Sequence, residues 1–319
     1  IQKSSKHLKI FVLTSDFDKL QIVLSEVRKQ KIDVLLEKDP YLDRKTLNCF
    51  SDLSAASQLV VQGGIDQKVA NTVARTAEGM VANLFDSELA IATLSRMVNH
   101  DPTLYDHSAS VAMLGAIISK KCLTTPVLKA QIPVIAQCGL YHDVGKTCVP
   151  SGVLNKPGKF TQEEFEVMKT HALEGELEIL RLIENKTASI DPICARVAGE
   201  HHEKFGGHGY PRGSKGRLED NQSSGIHLYS RITTIADVYS ALLMKRVYKP
   251  PMSAADALKI MSDAASKEDF DPDIYGRFLN QVVLSMKEFQ EKMNEKKVDT
   301  KGRILMRDEN GKLIKASPK

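Results

Sequence analysis

The histidines of this sequence are concentrated in one stretch, and several stand beside other candidate metal ligands. Eight of the nine lie between residues 100 and 227, with His142 directly before Asp143 and His201 directly before His202. Neutral imidazole and carboxylate are the usual protein ligands of divalent transition metals, and one metal rarely takes more than three or four of them. The candidate ligands are His107, His142, Asp143, His171, His201, His202 and Asp237. So many candidates predict two metals rather than one.

Lys146 stands close to the first pair, four residues after His142 and three after Asp143. If this segment is helical, the three side chains point in roughly the same direction. An aspartate can bridge two metals, and two metals roughly 3.5–4 Å apart can polarise a phosphoryl group and lower the pKa of a water molecule. A lysine beside them can orient the hydroxide or neutralise charge on the phosphoryl oxygens. Phosphodiester hydrolysis needs this kind of charge stabilisation and an activated water, so the carboxylates and Lys146 are candidates for such chemistry.

The composition is that of an ordinary globular protein. Of the 319 residues, 42% are hydrophobic and 26% are charged, which excludes a disordered or collagen-like chain. The formal net charge of +4 is too small to indicate binding to a nucleic-acid polymer. The longest apolar stretch, residues 111–118, is far shorter than the roughly 20 residues of a membrane helix, so we expect no membrane contact.

The five cysteines are scattered and include no CxxC pair, which predicts reduced thiols. We therefore expect a cytoplasmic protein without a targeting segment.

The N-terminal part contains short apolar runs that read as strands. The predicted strands are residues 8–13, 32–37 and 59–64. Apolar side chains three and four residues apart predict a helix over residues 17–30. We therefore expect a small α/β domain over residues 1–70 that serves as a regulatory or partner module. It loosely resembles a response-regulator receiver domain, because Asp16 and Asp18 follow the first strand, but we find no phospho-acceptor aspartate after a third strand.

The second predicted domain, residues 71–319, reads as mainly helical. Helical periodicity runs from about residue 66 to 200 and resumes after Arg231 to about residue 295. Clusters of proline and glycine interrupt it at residues 149–158 and 206–216. Two short alternating runs flank Asn310-Gly311, which predicts a C-terminal β-hairpin. The predicted fold class is therefore mainly α.

Several motifs in order along the chain resemble one family. The segment YHDVGKTCVPSGVLNKPGKFTQEEFEVMKTH, residues 141–171, is similar to the core of the HD superfamily of metal-dependent phosphohydrolases. The segment GEHHEKFGGHGYPRG resembles its HD-GYP branch, with Gly209-Tyr210-Pro211 as the namesake triplet. RITTIADVYSALLMKRVYK and FDPDIYGRF continue the resemblance, which covers about residues 95–285. An ordered set of motifs is far more specific than a lone His-Asp pair.

The resemblance implies an all-α helical bundle that holds a cluster of two or three metals and hydrolyses cyclic di-GMP to pGpG and often to GMP. The metal ligands that it implies are His142, Asp143, His171, His201, His202 and Asp237. Asp143 would bridge the metals, and Lys146 matches the catalytic lysine of the family. Mixed imidazole and carboxylate ligation favours iron or manganese, with zinc, nickel and magnesium as alternatives. We expect a bridging hydroxide to attack phosphorus in line and to expel the 3′-oxygen.

The resemblance also implies residues that bind the substrate. Arg246 and Lys249 match basic positions that contact the phosphates, which is reasonable for a dinucleotide with two phosphodiester charges. Tyr210 matches a residue near the substrate. Arg231 occupies a common family position, where a structural role and a phosphate contact are equally plausible.

Some positions depart from the family pattern. Thr103 replaces a glutamate that recruits a third metal in some members, so we expect a binuclear site. His107 should lie near this site, and whether it binds a metal stays open. We call the segment that contains Gly209-Tyr210-Pro211 the GYP loop. In it, Gly206 and His208 replace the usual aspartate and serine, and His208 is a further candidate site residue. Ser240 replaces another aspartate of the pattern. These changes leave the metal ligands intact but bear on substrate affinity and rate.

Two alternatives therefore remain at this stage. The protein could bind cyclic di-GMP or protein partners, such as a diguanylate-cyclase domain at the GYP loop or another signalling protein at the N-terminal module, without efficient turnover. It could also hydrolyse another cyclic dinucleotide or a mononucleotide.

Overall fold

The structure, a computed structural model, describes residues 17–84, 87–100, 106–217, 225–244, 252–295, 297–298, 304–307 and 313–315. The chain divides into two compact units, residues 1–40 and 41–319. In the smaller unit the described residues form one long helix, α1 (Phe17–Lys38). This helix contains the predicted helix over residues 17–30, which is confirmed.

The larger unit is built mainly from helices. Its first part consists of α2 (Arg44–Gly63), α3 (Gln67–Leu84), α4 (Ala90–His100), α5 (His107–Cys122), α6 (Pro126–Lys129) and α7 (Ile132–Tyr141). A 3-10 helix, Val144–Cys148, follows α7. The remaining helices are α8 (Ser151–Leu154), α9 (Gln162–Glu184), α10 (Pro192–Glu200), α11 (Leu228–Leu243), α12 (Ala254–Ala265) and α13 (Pro272–Glu295). The mainly α fold class is confirmed, as are the breaks around α8 and after α10.

Helix α5 lies at the centre of this unit. Its residues from Ala109 to Ala116 are all buried, which is typical of a helix surrounded by others. It packs against α2, α3, α7, α11 and α13. The closest approach is at Gly139 of α7, where a Cβ atom would lie 2.6 Å from the backbone nitrogen of Ala112. Glycine therefore lets α7 lie directly on α5 and brings the C-terminal end of α7 to the N-terminal side of α5.

Two predicted strands are wrong, because residues 32–37 lie in α1 and residues 59–64 lie in or directly after α2. Short apolar runs do not by themselves distinguish a strand from a buried helical turn. Ile32 and Leu35 are buried whereas Val34 is 48% exposed, which is the pattern of a helix face. The predicted α/β character of the N-terminal part is thus not found in the described residues. The strand predicted at residues 8–13 lies outside them, as does Asp16.

A small antiparallel sheet follows α13. It consists of β1 (Lys297–Val298), β2 (Ile304–Arg307) and β3 (Leu313–Lys315), in that order. Met306 pairs with Ile314, so the predicted hairpin pairing is confirmed, although its turn at Asn310-Gly311 lies outside the described residues. None of the described helices is long and apolar enough to span a membrane.

Candidate metal centre

Three histidines that were predicted as ligands are oriented in the same way. Each directs its Nδ1 atom at the backbone carbonyl oxygen three residues earlier. The distances are 2.8 Å from His142 to Gly139, 2.6 Å from His171 to Met168 and 2.8 Å from His201 to Ala198. Because a carbonyl only accepts hydrogen bonds, Nδ1 carries a proton, and in the neutral ring Nε2 offers its lone pair. This arrangement prepares all three rings to ligate a metal through Nε2.

Asp143 stands between these rings, and its two oxygens face different neighbours. Oδ1 lies 3.5 Å from Nε2 of His171 and 3.7 Å from Nε2 of His201. Oδ2 lies 3.2 Å from Nε2 of His142 and 3.8 Å from Nε2 of His107. Oδ1 is buried and accepts no hydrogen bond from the described residues. A buried carboxylate oxygen without a donor among imidazole nitrogens suits a metal ligand.

The side chains form two groups, in each of which the potential ligand atoms lie within 4.8 Å of one another. The first group is Asp143, His171, His201 and His202. The second group is His107, His142 and Asp237. The structure thus brings together all six ligands implied by the resemblance, and it adds His107. Two groups of three or four histidine and aspartate side chains fit two divalent metals.

Close packing of glycines brings Asp143 to His171. A Cβ atom on Gly145 would lie 2.0 Å from the carbonyl oxygen of His171 and 2.4 Å from the backbone nitrogen of Gly175. The 3-10 helix after Asp143 therefore rests directly on the backbone of α9. Any larger residue at position 145 would push these two segments apart and with them the two ligands.

Burial determines the protonation of most of the imidazoles. Burial lowers the pKa of His171, and it lowers the pKa of His202 to about 4. For His201, burial together with the neighbouring His202 lowers the pKa well below its usual value. Burial also opposes a charge on His142, but the adjacent Asp143 outweighs it and raises the pKa of that ring. Three of these rings are thus neutral at neutral pH, which is the ligating form.

The two carboxyl groups are ionised. Burial alone would raise the pKa of Asp143, but His142 and Lys146 reverse this effect and hold the pKa well below its usual range. The pKa of Asp237 is also lowered, since its hydrogen bond to His107 outweighs burial. Lys146 Nζ lies 2.5 Å from Asp143 Oδ2 and is 36% exposed, so it borders both the carboxylate and solvent. The predicted proximity of Lys146 to Asp143 is confirmed.

The loop after α10 lies against the first group. The ring of Tyr210 lies 4.7 Å from the ring of His202, and its backbone N–H donates to the carbonyl oxygen of His202. Glu203, only 1% exposed, accepts hydrogen bonds from the backbone N–H groups of Arg212 and Ser214. Burial raises the pKa of Glu203. The sequence reasoning missed Glu203, although a glutamate directly after two candidate ligands was a usable signal.

Other candidate residues lie away from the two groups. His208 is 47% exposed and contacts Asp269 at 2.7 Å, on the surface side of the loop. Arg231 donates to Asp271 at 2.5 Å and to the carbonyl oxygen of Arg217, and its side chain is 4% exposed. Arg231 thus contacts other parts of the protein, as its structural alternative predicts, while a phosphate contact stays a prediction. Arg246, Lys249 and Thr103 lie outside the described residues.

A mainly helical bundle with two adjoining His/Asp groups that could bind metal ions defines a class of protein: a helical protein with a candidate metal centre. Residues 92–274, more than half of the chain, match the HD domain family. The chain belongs to the HD domain family, and the resemblance that the motifs indicated is confirmed.

Curated relatives carry names that describe a phosphodiesterase. The chain is 28% identical over 258 residues to a "Probable cyclic di-GMP phosphodiesterase" of Vibrio cholerae, covering 79% of this chain and 50% of that protein. It is 39% identical over 168 residues to a "Cyclic di-GMP phosphodiesterase" of the same organism, covering 52% of this chain and 32% of that protein. The chain therefore spans half or less of the length of these relatives.

A solved structure shares the fold. Bd1817, an HDG"Y"P protein from Bdellovibrio bacteriovorus, superposes with a TM-score of 0.62 at 18% identity, over 86% of this chain and 82% of Bd1817. At this level of identity the similarity shows that the two chains have a common fold.

Proposed function

We propose that this protein is a metal-dependent phosphodiesterase that hydrolyses cyclic di-GMP to pGpG, GMP or both. One observation carries the proposal: the two oxygens of Asp143 face two separate groups of ligand atoms. That is the arrangement a bridging carboxylate needs in a two-metal site. The names of the curated relatives support cyclic di-GMP as the substrate.

The two groups divide the metal ligands between them. His107, His142 and Asp237 would hold one ion, and His171, His201 and His202 the other, with Asp143 shared. Nitrogen-rich ligation with two carboxylates supports iron or manganese, while zinc, nickel and magnesium are also compatible with it. When bound, the metals polarise the phosphoryl group and lower the pKa of water at the site.

The protein's own residues orient the reaction. The backbone carbonyls behind three of the histidines keep each Nε2 pointed inward, and Asp143 stays ionised at working pH. Lys146 borders solvent beside Asp143, where its ammonium group would pair with a phosphoryl oxygen and stabilise the charge that develops there. Tyr210 covers His202 and would limit the access of water from that side. Arg246 and Lys249 remain our proposed phosphate contacts.

Two further parts of the proposal concern location and partners. The five cysteines are odd in number and scattered, without a CxxC pair, and this pattern supports a reducing cytoplasmic location. Residues 1–70 would serve as the regulatory or partner module, and the GYP loop would present a surface to other signalling proteins.

The test is product analysis. The protein is loaded anaerobically with Fe(II) or Mn(II), incubated with cyclic di-GMP, and the products are separated by chromatography. Metal-dependent pGpG or GMP is expected from the wild type and from Asp263→Ala, a control at an exposed aspartate of α12. Asp143→Ala should form no product, and undiminished turnover by this variant would refute the assignment.

A second candidate function is binding of cyclic di-GMP without efficient turnover. It is favoured by the loop itself, since His208 contacts Asp269 rather than the metal groups and Gly206 offers no carboxylate. Two bound metals and measurable nucleotide binding without product would establish it. A panel of other cyclic dinucleotides and mononucleotides, run in the same assay, tests whether the substrate differs.

A further inference from the structure

A series of aromatic rings leads from the metal centre toward the protein surface. The ring of Tyr210 lies 4.7 Å from that of His202 on one side and 6.3 Å from that of Phe165 on the other. Lys169 Nζ lies 5.8 Å from the ring centre of Tyr210 and 5.4 Å from that of Phe165. Cation–π contacts at such distances help to hold both rings in place. The metal centre and Phe165 are thus connected through one contact with Tyr210.

Phe165 also lines an open depression at the surface, between α8 and the start of α9. This α8–α9 depression has a volume of about 510 Å³ and is lined further by Leu154, Lys156, Lys159 and Phe160. That volume falls within the roughly 300–1,000 Å³ of small-molecule sites. The depression therefore lies one ring beyond the GYP loop and has room for part of a nucleotide.

The lining of the α8–α9 depression combines exposed apolar faces with positive charge. Leu154, Phe160 and Phe165 are 38%, 37% and 41% exposed, respectively. All three side chains line the same depression, so a flat apolar ligand would find several apolar contacts there. Lys159 is exposed beside them, and Lys156 reaches the same depression although it also pairs with Glu164.

We propose that the α8–α9 depression is a subsite for one guanine base of the dinucleotide, stacked on Phe165. This inference rests on the proposed function. A cyclic dinucleotide that places one phosphodiester at the metal groups must extend its bases away from them, and the aromatic series marks one such direction. Stacking on an aromatic side chain favours binding of any nucleobase, because every base has a π face. Lys159 would add attraction for the anionic ring of the ligand.

The test compares two substrates on the metal-loaded full chain. One is cyclic di-GMP, and the other is methyl p-nitrophenyl phosphate, a small diester without a nucleobase. Phe165→Ala should raise KM for cyclic di-GMP about tenfold, which corresponds to a loss of about 1.4 kcal/mol. It should leave kcat for cyclic di-GMP and kcat/KM for the small diester within about twofold. Phe165→Trp, which retains a stacking face, should restore KM.

The matched control is Leu177→Ala, which removes another exposed apolar side chain of α9 that is 54% exposed and does not line the depression. It should leave both substrates unaffected. An unchanged KM for cyclic di-GMP in Phe165→Ala, or a parallel loss on both substrates, would overturn the subsite while the proposed function stands. A wild type that cleaves the small diester but not cyclic di-GMP would overturn the substrate assignment and the subsite together.

Discussion

His107 Nδ1 lies 2.9 Å from Ser240 Oγ, and the opposite nitrogen of the same ring lies 3.0 Å from Asp237 Oδ1. Ser240 stands one helical turn after Asp237 on α11, so both side chains lie on the same face of that helix. The Ser240 hydroxyl thereby orients His107, which lies beside the ligand Asp237. A hydrogen bond on one ring nitrogen determines which nitrogen is left for a metal. Ser240, which departs from the family pattern, thus supports the second ligand group.

Removing this hydroxyl should weaken one metal site. In Ser240→Ala the ring of His107 loses its partner, and we expect the affinity of the weaker-bound metal to fall about tenfold, since residues that orient metal ligands typically contribute 10–100-fold. Isothermal titration with Mn(II) measures this affinity. Ser240→Thr keeps the hydroxyl and should restore the metal affinity of the wild type. The control is Ser189→Ala, at an exposed serine. Equal affinities in Ser240→Ala and wild type would contradict an orienting role.

Metal stoichiometry should distinguish the shared ligand from the unshared ones. Asp143→Ala removes the carboxylate common to both groups, so we expect the protein to retain less than one metal after dialysis. Asp237→Ala should retain about one of the two, because the first group keeps its four ligands. Elemental analysis by mass spectrometry gives the metal content. Equal losses in the two variants would argue against Asp143 as the bridge.

Lys146 should matter for rate and not for metal content. Replacing it by Met removes the ammonium group 2.5 Å from Asp143, and we expect kcat to fall about 10²–10³-fold, as when a single transition-state contact is lost. The measurement is turnover of cyclic di-GMP together with metal content. Lys259→Met, at an exposed lysine of α12, is the control and should retain full activity. A Lys146→Met protein that has lost its metals would show a structural role instead.

Gly145 should be among the least replaceable glycines of the site. Gly145→Ala forces a methyl group against the backbone of α9, and we expect the free energy of unfolding to fall by about 3 kcal/mol, near the upper end for overpacking. Urea denaturation of the metal-free protein measures it. The matched control is Gly79→Ala in α3, where an added Cβ meets nothing within 4 Å and stability should rise slightly. An equal change in the free energy of unfolding in both variants would show that α9 can move away from the methyl group added at position 145.

Asp269 should stabilise the GYP loop in a pH-dependent way. Burial opposes its charge, but Lys204 and His208 outweigh burial and lower its pKa. A lowered pKa in the folded state contributes stability above the ordinary aspartate pKa, near 4, and that contribution disappears as the pH falls through the folded value.

Asp269→Asn should therefore cost about 1 kcal/mol at pH 7, a modest value because both partners are half-exposed and screened by solvent. The difference from wild type should shrink steadily below pH 4. Urea denaturation of the metal-free protein across this pH range measures it, with the exposed Asp263→Asn as the control. A difference that persists at low pH would point to a role of the side chain other than its charge.

Much of the site could be read from residue types and spacing alone. The His-Asp and His-His pairs, Lys146, His171 and Asp237 all come together around one centre in the structure. They could be predicted because the segments that carry them are short and recognisable, and because so many imidazoles outside a metal site are improbable. The mainly helical bundle followed from periodicity. The two strands predicted at residues 32–37 and 59–64 failed because an apolar run of six residues fits a helix face equally well.

Only the tertiary structure decided how these residues divide their roles. That the two oxygens of Asp143 face different groups, and that His107 joins one of them, depends on how α5, α7, α9 and α11 meet. Arg231 and Asp271 pair across 40 residues, and no local pattern reveals which partner a buried arginine takes. The sequence by itself determined which chemical groups are available. Packing of helices on one another determined which atoms of those groups face the same space, because that depends on contacts between residues far apart in the chain.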